Sequence, residues 1–553
     1  MAKELLDAQT PLSAANVESL VLYNSAASPS VRRCRITLLE KGLDYDTVEM
    51  DLPNMEHRSP EYLALNPNGY VPTISHGEHV VYDSAAINEY LDTQFPKIAL
   101  FPASPPERAQ VRMWIGSEET MSNEFRPLLY QRVMGPIQHI SRSLEEARQI
   151  NRRCTSDPID MAWGDRIWRM QVLTPGQQMQ QERKLMRWLD TVEQSLKNQD
   201  YLVGNQFTQA DISVFPRVMM YSYLGLKIDE ASYPNVLTWI KRLETRPSFE
   251  NSMSAQAKKL RKMATSPLLP KLRRILGKPE TKRNVLDKLF IWGLGRALRK
   301  IQKVATLLAA PDKRRDLPMP KPRLVPIDFS LGEKPHELEN SNSIDIYGSA
   351  LSHHSQRIVI LVKFLGLTYT FHEIDLTSGE NKKHKFLKLN PLGEVPVLKH
   401  GERVIHDSRA IAEYLLENFD QQQLWFGKNS YQAAQNRMWL GLEAGTHKEF
   451  KPLWSKYSLK HTGRQLSVEE EYSAIERIEQ KLMTLEDTLS EAGFLCGEKM
   501  RYADIAWFTR LESMKLVVSF SMEKFPNLAR WYSLMQGIVN RASREMYENK
   551  SST

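Results

Sequence analysis

Two serines in this 553-residue chain stand where a hydroxyl can do chemistry. Ser28 closes Leu22-Tyr23-Asn24-Ser25-Ala26-Ala27-Ser28, and Ser352 closes Ile346-Tyr347-Gly348-Ser349-Ala350-Leu351-Ser352. Each follows a short apolar run and precedes a helix-forming stretch. A hydroxyl there either caps the helix or joins the positive end of the helix dipole in stabilising an anion. Ser25 and Ser349 lie in the same loops as fallback donors. Asp83-Ser84 and Asp407-Ser408 precede a later helix-forming stretch in the same way. His353-His354 stands where the first stretch has Pro29-Ser30; the pair is either exposed surface or, if protonated, a charge that helps hold an anion. Cys34, six residues past Ser28, reads as core packing. No carboxylate or cysteine lies at ligand spacing from the histidines, so no metal site is expected.

Composition bounds the rest. Hydrophobic residues make up 41% and charged residues 25%, which is ordinary for a globular protein and argues against wholesale disorder. No run of 18 apolar residues occurs, so no membrane-spanning helix is expected. The first seven residues have no apolar core, which predicts a chain without a secretory signal. Three scattered cysteines, Cys34, Cys154 and Cys496, exclude a disulfide scaffold and point to a reducing, cytoplasmic location. The net charge of +8 is local. Residues 258–323 hold 20 Lys and Arg against 4 Asp and Glu, and the remainder carries a net −8. Such a segment is not a folded basic face with interleaved aromatics, so nucleic acid is not expected as a partner.

The serines belong to an internal repeat. Leu65-Asn66-Pro67-Asn68-Gly69-Tyr70-Val71-Pro72 reappears as Leu389-Asn390-Pro391-Leu392-Gly393-Glu394-Val395-Pro396, and the Asp83-Ser84 block reappears at Asp407-Ser408. The offset is 324 throughout, and about 30 of 74 positions are identical. Farther on, Gly204-Asn205-Gln206-Phe207-Thr208-Gln209-Ala210-Asp211-Ile212 matches Gly497-Glu498-Lys499-Met500-Arg501-Tyr502-Ala503-Asp504-Ile505 at an offset of 293. The first copy therefore carries 31 extra residues, placed around 141–178. Each copy alternates strand and helix, with a hairpin at His76-Gly77-Glu78, and then becomes helical. Thr208 and Asp211 form a capping-box pattern with Phe207 and Ile212 as a staple. Arg501 replaces the threonine in the second copy, at an expected cost of about 1 kcal/mol.

In family order, the tyrosine-bearing strand, the serine at the first helix, Val-Pro after Asn-Pro, Asp-Ser and Thr-x-x-Asp resemble the cytosolic glutathione transferases, twice over. The first copy, with its insertion and its approach through Lys197-Asn198-Gln199-Asp200-Tyr201-Leu202-Val203, looks most like bacterial β-etherases and glutathione-dependent dehalogenases. The resemblance implies α/β plus all-α architecture repeated: a thioredoxin-like βαβαββα domain at 20–97 and an all-helical domain at 104–252, a basic linker at 253–342, then the same pair at 343–421 and 428–548. It implies glutathione as co-substrate. Ser28 and Ser352 would be the catalytic hydroxyls that hold its thiolate, the nucleophilic form. Val71-Pro72 and Val395-Pro396, as cis bonds, would leave the valine N–H and C=O free to pair with the cysteinyl backbone. Ser84 and Ser408 would take the γ-glutamyl carboxylate, with Asp83 and Asp407 on the ammonium. Arg58 and Lys382 are weaker candidates for the glycyl carboxylate. An apolar or aromatic electrophile would lie between the subdomains, with Trp114, Tyr130, Trp163, Trp168 and Tyr221 as candidate lining. Family members usually dimerise, and two copies in one chain can form that pair internally.

The linker has apolar residues at helical spacing over 285–308, with Lys288, Arg296, Arg299, Lys300 and Lys303 beside them. It is expected to pack on the two units with its charges toward their acidic surface; the other reading is peripheral contact with an anionic membrane through 285–308. Residues 311–326 read as a proline-rich spacer. The reading of the whole is a tandem glutathione transferase, the alternative being a transferase-like scaffold or a membrane-surface binding protein.

Overall fold

Leu20–Asn24 is buried at all five positions, as a strand needs to be when helices cover its sheet. In the computed structural model, which describes residues 19–308 and 344–550 apart from 27, 53–55, 154–157, 458–465 and 519–521, this run is β1. The first seven residues, Cys154 and the spacer at 311–326 lie outside the described residues. After β1 come α1 (Pro29–Glu40), β2 (Tyr45–Glu49), α2 (Pro60–Leu65), β3 (Thr73–His76), β4 (His79–Tyr82) and α3 (Ser84–Gln94). The sheet order is β2-β1-β3-β4. β2 runs parallel to β1, with α1 as the crossover, and β3 and β4 are antiparallel.

The helical half comprises α4 (Pro105–Leu129), α5 (Gly135–Ser141), α6 (Leu144–Arg152), α7 (Pro158–Trp168), α8 (Pro175–Ser195), α9 (Gln209–Met219), α10 (Tyr221–Leu224), α11 (Pro234–Glu244) and α12 (Pro247–Asn251). Then come α13 (Ala255–Ala264), α14 (Leu268–Leu276) and α15 (Val285–Leu308) of the basic segment. The second unit repeats the plan with β5 (Ile344–Gly348), α16 (His353–Phe364), β6 (Tyr369–Glu373), α17 (His384–Leu387), β7 (Val397–His400), β8 (Arg403–His406) and α18 (Ser408–Phe419), in sheet order β6-β5-β7-β8. It continues with α19 (Ser430–Ala444), α20 (His447–Tyr457), α21 (Val468–Glu491), α22 (Tyr502–Lys515) and α23 (Pro526–Lys550). Each unit is thus a thioredoxin-like domain followed by an all-helical one. Helices α5 to α7 hold the extra residues of the first unit, beginning a few residues earlier than the sequence indicated.

The capping pattern holds in both copies, differently. Thr208 accepts from Ala210 N–H while the Asp211 carboxylate accepts from Thr208 N–H. In the second unit Asp504 Oδ2 accepts from Arg501 N–H at 2.8 Å. Arg501 caps nothing with its side chain, which donates to the Leu424 carbonyl. Both aspartates also receive a tryptophan indole, Trp239 at 2.8 Å and Trp531 at 3.0 Å, so the acidic half of the cap ties down a second helix.

The units meet through reciprocal elements. α4 packs on α18 and β8, and α19 packs on α3 and β4. Ala434 and Met438 enter the core of the first sheet domain, while Ala109 and Met113 join that of the second unit. Arg112 Nε lies 2.9 Å from Glu89 and 2.9 Å from Glu413, and Arg437 pairs with the same two carboxylates. Burial opposes the charge of Glu89, but the two arginines outweigh it and bring the carboxyl down to about 2. Gly116 and Gly441 let the helices approach: a Cβ would stand 2.9 Å from the Asp407 carboxylate at the first and 3.2 Å from that of Asp83 at the second. Some contacts break the pattern: Glu417 pairs with Arg108 and Arg112, whereas its matching position is Thr93. Arg409 pairs with Glu119 across the units, whereas the matching positions are Ala85 and Ala444.

α15 lies against the first unit only through one side. Phe290, Ile291, Leu294 and Leu298 pack on that unit's helical core. Gly295 comes so close to α5 that a Cβ would be 2.5 Å from the Ile140 carbonyl, and Arg299 donates to the same oxygen at 3.2 Å. Of the linker's charges, Lys258 reaches an acidic residue of the first unit, Glu250. The linker's described ion pairs are Lys258–Glu250, Lys278–Asp287 and Arg283–Glu280, the last two internal to the segment.

Inside each unit a carboxylate is buried between two guanidiniums from different elements. Glu118 on α4 takes Arg33 of α1 at 2.9 Å and Arg217 of α9 at 2.8 Å. Glu443 on α19 takes Arg357 of α16 at 2.9 Å and Arg510 of α22 at 2.6 Å. Burial disfavours the carboxylate in each case, yet the arginines hold it below the usual range. Removing the carboxylate leaves two buried cations uncompensated. We therefore expect Glu443→Ala, and separately Glu118→Ala, to lower stability by about 3–5 kcal/mol in urea unfolding; a loss below about 1 kcal/mol would show that the triads do not hold the elements of each unit together.

Candidate active site

Ser28 and Ser352 are the N-caps of α1 and α16. Ser28 Oγ accepts from Val31 N–H at 3.3 Å, and Ser352 Oγ accepts from Ser355 N–H at 3.3 Å. A hydroxyl that accepts in this way keeps its own proton to donate, so capping and holding an anion are compatible roles for one serine. Of the fallback donors, Ser349 already donates to Glu373 at 3.0 Å.

Asp83 and Asp407 are themselves the N-caps of α3 and α18. Each accepts from two backbone N–H groups with Oδ1, at 2.9 and 3.2 Å for Asp83 and at 2.9 and 3.1 Å for Asp407. Each has a positive φ, 72° and 71°, in a region that aspartate enters at a cost of about 1–3 kcal/mol and that clusters at functional sites. Ser84 and Ser408 follow at the first helical position and are buried. Val71-Pro72 and Val395-Pro396 are both cis. Arg58 donates to the Asn68 carbonyl at 3.3 Å and Lys382 to the Leu392 and Gly393 carbonyls at 3.1 and 2.8 Å, so these matched cations steady the turns ahead of Val-Pro.

A cleft beside Ser28 is lined by Ala26, Pro29, Arg32, Pro216, Met220, Tyr223, Met253 and Ala257. It lies between α1, α9 and the start of the basic segment. None of the five aromatic residues expected to line such a cleft does so. Trp114 donates to the Leu202 carbonyl and Tyr221 to that of Leu185, both inside the helical core. Tyr130 meets Trp163 edge-on, and Trp168 lies over His139 in the inserted helices. Aromatic content alone did not separate core from cleft. The residue missed was Arg32, whose guanidinium donates to Ser252 Oγ and the Phe249 carbonyl, both at 3.1 Å. Burial pulls it down to about 10, which still leaves it charged at neutral pH. Arg35 lies one turn on, bonded to the Asn24 side chain and the Ser25 and Ala26 carbonyls. The second unit has Gln356 and Val359 at these positions, so its serine lacks both cations.

The histidine pair corrects both readings offered for it. His353 is buried, 7% exposed, and His354 is half-buried with Nδ1 3.3 Å from Ser408 Oγ. Burial first, then neighbouring cations that include Arg357 and Arg510, hold both rings well below 6.5. They are neutral, and neither is exposed surface nor a positive charge. Cys34 is fully buried and its thiol is pushed up to about 12, as core packing requires. Among the described residues no cluster of three metal-ligating side chains occurs.

Residues 22–104 and 346–423 match the model of the glutathione S-transferase N-terminal domain, and residues 174–247 and 448–537 that of the C-terminal domain. The chain belongs to the glutathione S-transferase family and carries both family domains twice. It is similar to glutathione S-transferase 3 of Zea mays, 26% identical over 246 residues that cover 43% of this chain and 94% of the relative. It is similar to protein LigF of Sphingobium sp., 27% identical over 240 residues, 42% of this chain and 92% of the relative. Among solved structures, that of the beta-etherase LigF is covered over 98% of its length by 42% of this chain, at 25% identity and a TM-score of 0.39.

A pH dependence follows from the histidines. Their folded-state values lie below the ordinary 6.5, so the stability they contribute is present above about pH 6.5 and is lost as pH falls. Stability should drop between pH 7.5 and 5.5, by up to about 1.4 kcal/mol per pH unit for each histidine below 6.5. His353→Gln with His354→Gln should flatten that slope in urea unfolding. Asp504, raised to about 6 by burial, acts in the opposite sense; an unchanged slope in the double variant would refute the assignment.

Proposed function

We propose that the chain is a glutathione transferase whose first unit activates the glutathione thiol for attack on an electrophilic small molecule. The observation that carries this reading is the arrangement at Ser28: a helix N-terminus, a hydroxyl with its proton to donate, and the Arg32 guanidinium lining one cleft. Each favours a thiolate over a thiol. Depressing a thiol pKa by about 2 units takes roughly 2.7 kcal/mol of preferential stabilisation, a share that a charge-assisted hydrogen bond and the dipole can supply together. Ser84 and the backbone at Val71-Pro72 hold the γ-glutamyl and cysteinyl parts of the tripeptide, and Asp83 faces its ammonium. Ser352, Val395, Pro396, Asp407 and Ser408 do the same in the second unit. The electrophile lies over Met220, Tyr223 and Met253, on an apolar floor suited to an apolar or aromatic molecule. The reaction is conjugation, loss of halide or cleavage of an ether by the thiolate; the printed name of one relative, a beta-etherase, supports including the last. Such chemistry needs reduced glutathione, which is in keeping with the free thiols of Cys34 and Cys496 and with a cytoplasmic location.

The two units form within one chain the pair that single-unit transferases form between two. Shared carboxylates at Arg112 and Arg437 support this reading. A non-catalytic role has two observations in its favour, both confined to the second unit: neutral His354 lies on Ser408, and the cations beside Ser28 have no counterpart there.

Titration calorimetry with glutathione should give two sites per chain if both units bind, and one if the second has become structural. Ser28→Ala should raise the pKa of bound glutathione in the first unit by about 1–2 units, seen in the ultraviolet absorbance of the thiolate, and slow conjugation of an aryl halide about 10- to 100-fold. Absence of binding at millimolar glutathione would defeat the enzyme reading.

A further inference from the structure

α15 is amphipathic twice over. One side is pinned to the first unit through Gly295 and Ile140. The opposite side carries Val285, Leu286, Leu289 and Trp292, which are 72%, 74%, 57% and 57% exposed. Four large apolar side chains on two turns of one helix are more than scattered surface hydrophobics, and such a patch marks a contact. Cations surround it. Arg296 lies over the Trp292 ring, 5.4 Å from its centroid, and Lys271 over Phe290 at 4.6 Å. Among the described residues, Lys271, Arg274, Lys282, Lys288 and Arg296 make no ion pair.

We infer that this face docks the protein on an anionic lipid bilayer. The inference stands apart from the catalytic reading and does not depend on it. Tryptophan and leucine amid lysine and arginine match the two layers of a membrane interface: acyl chains below, anionic headgroups around. Charge selects this occupant. The segment 258–323 carries a net +16 and the rest of the chain a net −8, so an anionic surface attracts this segment and repels the remainder, which favours one orientation of the bound protein. A second copy seated on the same face would bring a second cationic segment against the first, and the like charges oppose it. Docking is peripheral, since no described helix is long and apolar enough to cross a membrane.

The test is co-sedimentation of the full chain with vesicles of phosphatidylcholine alone and of phosphatidylcholine with phosphatidylserine. We expect binding to the anionic vesicles only, weakening as salt is raised. Leu289→Asp with Trp292→Ala should reduce it at least tenfold, as should Lys288→Glu with Arg296→Glu, while circular dichroism stays that of the parent. Equal binding to neutral vesicles, or binding that neither variant alters, would overturn the inference. A doubled solution mass that Leu289→Asp returns to one chain would assign the face to a second copy and overturn it as well.

Discussion

The orientation of the first helix in each unit rests on a carboxylate that has nowhere else to go. Glu118 is fully enclosed, and its two oxygens are divided between Arg33, one turn past the N-terminus of α1, and Arg217, on α9. A buried charge is tolerated only when its partners stay in place, so the ionic triad constrains three elements at once: the helix that presents Ser28, the long helix that meets the other unit, and the helix that walls the cleft. An apolar contact of equal area would hold them together without fixing their rotation. The same constraint recurs at Glu443 with Arg357 and Arg510, between α16, α19 and α22.

That constraint was latent in the sequence. Arg33, Glu118 and Arg217 recur as Arg357, Glu443 and Arg510, each inside a helix. A charged residue kept in both copies at a core-facing position needs a partner, and the repeat supplies the register to find it. What was plain without the structure was the repeat itself, the thioredoxin-like order of strands and helices, and the helix starts at Ser28, Ser352, Thr208 and Asp504. These are local features, set by turn chemistry and periodicity over a few residues.

What escaped sequence reasoning depends on tertiary environment. His353-His354 looks the same in one dimension whether it is solvated or enclosed; burial against Arg357 and Arg510 decides its charge. Tyr221 and Tyr223 are two residues apart, yet one is sealed in the helical core and the other faces the cleft, because the short helix α10 turns them to different sides. The spacing in α15 showed one apolar stripe and did not show that only part of it is covered.

The unmirrored pair between Arg409 and Glu119 has a consequence of its own. In an assembly of identical chains related by a two-fold axis, every contact across the axis occurs twice, so a substitution is always made in both places and both must tolerate it. Here Ala85 and Ala444 occupy the mirror positions, and the contact exists once. Joining the copies covalently frees each side to change alone. A change beside Ser28 need not be matched beside Ser352, and the two halves are free to diverge without either losing its neighbour.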